Sequence, residues 1–122
     1  MTMVVMLLAG ALGAWARYEA AGWVQRRAAS SWPWGTAVVN LAGAVALGLL
    51  VAAQQADFVG QGWLEVMGTG FCSAFTTFST WMVETVHLTR EAGMGGIRAG
   101  LINLLGQLVA GSLAALALLA AI

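Results

Sequence analysis

The sequence predicts an all-α integral membrane protein, a single domain over residues 1–122 with four transmembrane helices, the third of them broken. Three observations predict it. Hydrophobic residues make up 61% of the chain and charged residues only 8%, with no lysine. Soluble domains carry roughly 25% charged residues, so this chain cannot cover a soluble surface. Apolar runs long enough to cross a bilayer, about 20 residues each, recur four times. Finally, the run Gly70-Phe71-Cys72-Ser73-Ala74-Phe75-Thr76-Thr77-Phe78-Ser79-Thr80 sets hydroxyls and small residues in the middle of the third run. Polar groups cost free energy in a bilayer unless they find partners. Clustered there, they point to an ion or polar-substrate pathway.

The first span is expected over Met3–Val24, interrupted near its end by Arg17 and Glu19. The N-terminus is apolar from Met1 without a basic region, so it reads poorly as a cleaved signal peptide. Gln25, Arg26, Arg27, Ser30 and Ser31 form a connector, and Pro33 suits the first turn of the second span, Trp34–Ala53. Gln54, Gln55 and Asp57 mark the next loop, and the third span is expected over Gly62–His87. Arg90, Glu91 and Gly93, Gly95 and Gly96 mark a third loop before the fourth span, Ile97–Ile122. Trp23, Trp32, Trp34 and Trp63 stand near span ends, as interfacial anchors do. Gly10, Gly13, Gly35, Gly43, Gly48, Gly106 and Gly111 suit close helix packing. Four such helices leave little room for an internal pore and its lining, so a homodimer is expected to supply more walls.

The polar residues of the spans share faces. Thr36, Asn40 and Gly43 stand at i, i+4 and i+7 of the second span, and Asn103, Gln107 and Gly111 at steps of four in the fourth. These amides either donate to an anion or bond helix to helix. Ser112, one position off that face, can bond back to its own helix. In the third span Gly68 and Gly70 weaken the helix, and the hydroxyls that follow can satisfy freed backbone groups. Such a break would expose carbonyls, which are good ligands for a hard cation. Phe75 and Phe78 are either core packing or edge-on donors to a small anion through their positive ring edges. Trp81 and Met82 read as packing. Glu84 either pairs with Arg17 or faces a vestibule.

Several chemistries find no support. A formal net charge of zero gives no basis for nucleic-acid binding. The single cysteine, Cys72, has no disulfide partner within the chain and reads as a small buried hydrophobe. No His/Cys/Asp/Glu spacing suits a transition metal, no nucleophile–base pair marks an enzyme, and no phosphate loop marks an ATP-driven pump.

Three groups of residues carry a resemblance. They are Gly13-x-x-x-Arg17-Tyr18, then Gly35-Thr36-x-x-x-Asn40-x-x-Gly43-x-x-x-x-Gly48, and Gly70-Phe71-Cys72 followed by Phe75-Thr76-Thr77-Phe78-Ser79-Thr80 and Glu84. Together they resemble the CrcB/Fluc fluoride channels, by motif over three spans and by length over the fourth. The resemblance implies a passive fluoride exporter of the plasma membrane, embedded in lipid as an antiparallel, dual-topology homodimer with two pores along its interface. It implies a central structural sodium ion held by the backbone carbonyls of Gly70 and Ser73. It places the fluoride pathway at Phe75 and Phe78, Asn40, Thr36, Thr77 and Ser79, with Asn103 and Gln107 in register on the fourth helix. The chain departs from the family at Ala74, often glycine, and Trp81, often phenylalanine. Arg26, Arg27, Arg90 and Arg98 fall on one face, an asymmetry that normally fixes a single orientation.

Two rival readings fit the composition. A small multidrug-resistance-type, proton-coupled cation exporter needs a carboxylate deep in its first span, and only Glu19, near that span's end, is available. A non-transporting assembly subunit would explain the glycines but not the Phe-Thr-Thr-Phe-Ser cluster.

Overall fold

A computed structural model describes residues 1–91 and 94–121, and the described chain is helical with no strand. Gly93 and Ile122 lie outside the described residues. Helix α1 spans Thr2–Ala28, α2 Trp34–Gln55, α3 Gln61–Leu64, α4 Ser73–Phe75, α5 Ser79–Glu91 and α6 Met94–Ala120. A π-helical stretch, Glu65–Cys72, joins α3 to α4. Three helices, α1, α2 and the α6 segment Gly95–Ala120, are long and apolar enough to cross a membrane. Between α2 and α6 the chain is helical in pieces.

Helix α1 outruns its expected end by four residues. Gln25, Arg26 and Arg27, expected in the connector, instead form its last turn. Arg and Gln are good helix formers, and cations favour a helix C-terminus. Ala29 stops the helix in the left-handed conformation (φ 48°) and donates its N–H to the Gln25 carbonyl. The Gln25 side chain then holds the connector. Its Nε2 donates to the carbonyls of Ser30 (2.8 Å) and Trp32 (2.9 Å), and its Oε1 accepts the Gly35 N–H at 3.0 Å. This bracket fixes where α2 begins.

Helix α1 packs on the π-helical stretch, on α4 and on α2, whereas α2 and α5 pack on α6. Small residues set the close approaches. A Cβ at Gly13 would run into the Phe71 carbonyl, one at Gly35 into the Ala21 carbonyl, and one at Gly43 into the Thr76 methyl. A Cβ at Gly106 or Gly111 would meet nothing within 4 Å among the described residues, so close packing within them does not account for these glycines. The chain buries few side chains in its own core, Val39 most completely, and leaves a belt of Leu, Val, Ile and Trp outward. Bilayer lipid, not a protein interior, covers such a surface.

Candidate functional site

The third segment leaves the helical path at Thr76, whose backbone is extended (φ −88°, ψ 162°), and regains it at Ser79. An interrupted helix strands carbonyls on one side and amides on the other. Nearby side chains satisfy these groups one by one. Ser73 donates both its N–H and its hydroxyl to the Gly68 carbonyl. The Thr76 hydroxyl lies 3.3 Å from both the Cys72 and Ser73 carbonyls. Arg17 reaches across from α1 and donates through Nη1 to the Ala74 and Thr76 carbonyls, each at 3.2 Å. On the far side, Thr77 Oγ1 accepts the Thr80 N–H at 3.3 Å and so caps α5.

Asn40 closes the gap. Its Oδ1 accepts the Thr77 N–H at 2.8 Å and its Nδ2 donates to the Thr77 carbonyl at 3.1 Å. One side-chain amide therefore serves both backbone groups of one residue, as a neighbouring strand would. The same Nδ2 also donates to Gln107 Oε1 at 2.9 Å. Gln107 Nε2 donates to Asn103 Oδ1 at 2.9 Å, and Asn103 Nδ2 to Thr85 Oγ1 at 2.9 Å. The chain of amides thus runs from the interruption across α2, α6 and α5.

Beside it lies a cavity of about 300 Å³ lined by Asn40, Thr76, Thr77, Phe78, Trp81, Gln107, Leu108, Gly111 and Ser112. It is roomy enough for several waters. Phe78 is 69% exposed and meets Trp81 edge to face, ring centroids 5.8 Å apart. Amide, hydroxyl and aromatic side chains therefore line one space, residue types that can meet an anion.

A second cavity, of about 370 Å³, shares Thr77 with the first and is lined also by Arg17, Thr36, Thr80 and Glu84. Thr36 is buried and donates to Glu84 Oε1 at 2.8 Å, while Glu84 Oε2 is buried without a partner among the described residues. The two arrangements the sequence allowed for Glu84 are thereby separated. Arg17 turns to carbonyls of the interruption, Glu84 turns to Thr36, and both face one cavity.

Of the residues expected along a pathway, Asn40, Thr77, Phe78 and Gln107 come together in the first cavity. Thr36 lies in the second. Ser79 is exposed at the start of α5. Phe75 lies apart from both cavities, its ring stacked on Phe71 at 5.8 Å and 14°. Asn103 is buried at 2% exposure and lines a neighbouring apolar groove with Trp32 and Trp34. Ser73 is exposed on the outside of the chain, whereas Gly70 is buried against Met6 and Ala9 of α1. Among the described residues no cluster of His, Cys, Asp and Glu could hold a metal ion. Glu19, the one candidate for the carboxylate a proton-coupled exporter would need, is exposed on α1, nine residues before its end at Ala28.

Sequence reasoning missed three participants. For Arg17 the sequence leaves a pairing with Glu84 open and gives no sign of carbonyl partners, although Gly13 one turn earlier marks where α1 touches the third segment. Trp81, read as packing, lines the cavity with Phe78, and its indole Nε1 donates to the Asn103 carbonyl at 3.1 Å. Thr85 carried no signal beyond its register on α5.

The comparisons agree with one another. The family model described as "CrcB-like protein, Camphor Resistance (CrcB)" matches residues 4–119. The chain is 43% identical to a relative from Cutibacterium acnes named fluoride-specific ion channel FluC 2, over 95% of this chain and 93% of the relative. It is 41% identical to fluoride-specific ion channel FluC 1 of Symbiobacterium thermophilum, over 84% of this chain and 82% of that one. A third relative, FluC 2 of Moorella thermoacetica, is 41% identical over 85% of this chain and 92% of its own length. With apolar helices that span a bilayer and a family of channels, not enzymes, the chain is a multi-pass plasma-membrane protein and belongs to the CrcB family.

Proposed function

We propose that the protein is a fluoride-selective channel that lets fluoride leave the cell passively. The observation that carries this reading is the cavity at the interrupted third segment. There Asn40, Gln107, Thr77 and Phe78 line one space beside the interruption. A small, strongly hydrated anion gives up its water only to closely placed donors. Amides and aromatic edges supply donors without the full charge that would trap the ion. Fluoride is the anion named in the relatives.

On this reading the interrupted segment is a fourth crossing of the membrane. Helices α3 and α4 with the π-helical stretch come from one side and α5 from the other. The pathway then runs from the Thr36–Glu84 cavity past Thr77 to the Asn40–Phe78 cavity, with Ser79 as a further hydroxyl. Phe78 is 69% exposed, and this supports a second copy of the chain packed against it. An antiparallel homodimer would double the pathway. A sodium ion at the centre of such a dimer would bind main-chain carbonyls of Gly70 and Ser73. Of the two, Ser73 lies on the exposed side.

Purified protein reconstituted into liposomes and followed with a fluoride-selective electrode tests the proposal. Fluoride efflux well above that of protein-free liposomes is expected. Efflux equal to that background overturns it.

A further inference from the structure

We propose that Trp81 is a positioning residue for Phe78: its indole N–H is anchored on α6, and its ring holds the Phe78 ring at the cavity. The inference rests on the fluoride-channel reading and concerns what keeps an aromatic wall of that cavity in place.

Trp81 lines the cavity beside the interruption together with Phe78 and Gln107. Its side chain carries a single hydrogen-bond donor, Nε1–H, and spends it on the Asn103 carbonyl at 3.1 Å. Trp81 therefore lies at the cavity with no donor left for an anion. In a regular α-helix the Asn103 carbonyl is the one that accepts the Gln107 N–H, and both residues lie within α6. The indole bond thus ties Trp81 to the turn of α6 that carries Gln107 into the same cavity.

Phe78 has little else to hold it within the chain. It stands just before α5 begins at Ser79, and it is 69% exposed. Its aromatic partner is the Trp81 ring, with centroids 5.8 Å apart and planes at 88°. Edge-to-face pairing favours one relative orientation of two rings as well as their distance. Phe75 cannot take over this role, because its ring is stacked on Phe71 on the other side of the interruption. A ring free to rotate at position 81 would fix nothing. Held at Nε1 by α6, the Trp81 ring becomes a frame that runs from α6 to Phe78. A phenylalanine at position 81 would keep a ring but have no N–H, so the anchor depends on tryptophan.

The test compares Trp81→Phe, Trp81→Leu, Phe78→Ile and the Trp81→Leu/Phe78→Ile double variant in liposome fluoride efflux. It also follows Phe78 by 19F NMR of protein labelled with 4-fluorophenylalanine, the Phe78 line being assigned by its loss in Phe78→Ile. Trp81→Leu is expected to lower efflux about 5-fold, the scale on which one edge-to-face pair acts. Trp81→Phe, which loses only the anchor, should lower it less, about 2-fold. Because Trp81 acts through Phe78, the double variant should lose no more than Phe78→Ile alone. A purely structural role would add its loss to that of Phe78→Ile. The line shape is the second readout, since the lost indole ring current shifts the Phe78 line in any case. One narrow Phe78 line is expected in the wild type, and a broadened or split line in both Trp81 variants. Wild-type efflux in Trp81→Leu, or losses that multiply in the double variant, would overturn the proposal. Should Trp81→Leu not assemble, Trp81→Phe alone and combined with Phe78→Ile carries the same comparison. If the wild type moves no fluoride but the Phe78 line still broadens in the Trp81 variants, the function fails and the frame stands. A single narrow line in both variants would refute the frame.

Discussion

Asn40 uses both amide hydrogens and its carbonyl oxygen, two of those bonds closing on the single residue Thr77. Substituting Asn40→Leu keeps the volume but leaves the Thr77 N–H and carbonyl unpaired at membrane depth. Removing one partner of a buried pair costs about 1–3 kcal/mol, so a lower unfolding midpoint in detergent is expected together with loss of flux. An unchanged midpoint would show that Thr77 finds other partners. The two phenylalanines part company here. Phe78→Ile removes the aromatic ring that lines the cavity and should lower fluoride flux about 10-fold, equivalent to roughly 1.4 kcal/mol. Phe75→Ile, whose ring stacks on Phe71, should lower it less. Equal losses in efflux assays of the two purified variants would put both rings at the ion. The sequence showed that Asn40, Thr77 and Phe78 belong together because unusual residues at membrane depth demand a reason. It could not show that Phe75 turns away, since two aromatics three apart on a helix look alike until the helix is interrupted between them. Arg17 was hidden for a different reason. A pairing with Glu84 is one of two arrangements the sequence leaves open, while the carbonyls that Arg17 serves carry no mark in the sequence.

The third segment is held in its interrupted form by side chains from outside it. Arg17 on the Ala74 and Thr76 carbonyls and Asn40 on Thr77 replace the helical ladder for three residues. Arg17→Met retains the apolar stem and removes both carbonyl bonds. Faster amide exchange confined to residues 74–80 is expected, and exchange rates equal to the wild type would contradict the role assigned to Arg17. Ser73→Ala is a milder change. It removes one of two donors to the Gly68 carbonyl and leaves the backbone N–H in place. Flux and any bound sodium should therefore survive it, as elemental analysis of the purified protein can check. Helices α1, α2 and α6 were legible from hydropathy alone, with ends shifted by a few residues because polar helix formers prolong a span past its apolar core. The π-helical stretch was not legible. Its glycines signalled a weak helix but not the i→i+5 bonding that the Ser73 N–H makes to the Gly68 carbonyl.

The whole chain divides its work between lipid and an unfilled polar seam. Leu, Val and Trp face outward nearly everywhere, and the polar side chains gather along α2, α5, α6 and the interruption. A solitary chain leaves Phe78, Ser79 and Thr80 exposed at the middle of its apolar length. Cross-linking in membranes through a cysteine placed at Ser79 should therefore capture dimers, and a monomer under those conditions would remove the second wall from the proposed pore. The seam itself makes the sharper demand, because closely placed donors bond a small hard anion more strongly than a larger one, and only that surplus offsets the small anion's greater cost of losing water. The measurement that bears most directly on this is the paired efflux of fluoride and chloride from the same reconstituted liposomes. Rapid fluoride release with chloride retained is the predicted result; chloride released as fast as fluoride would contradict it.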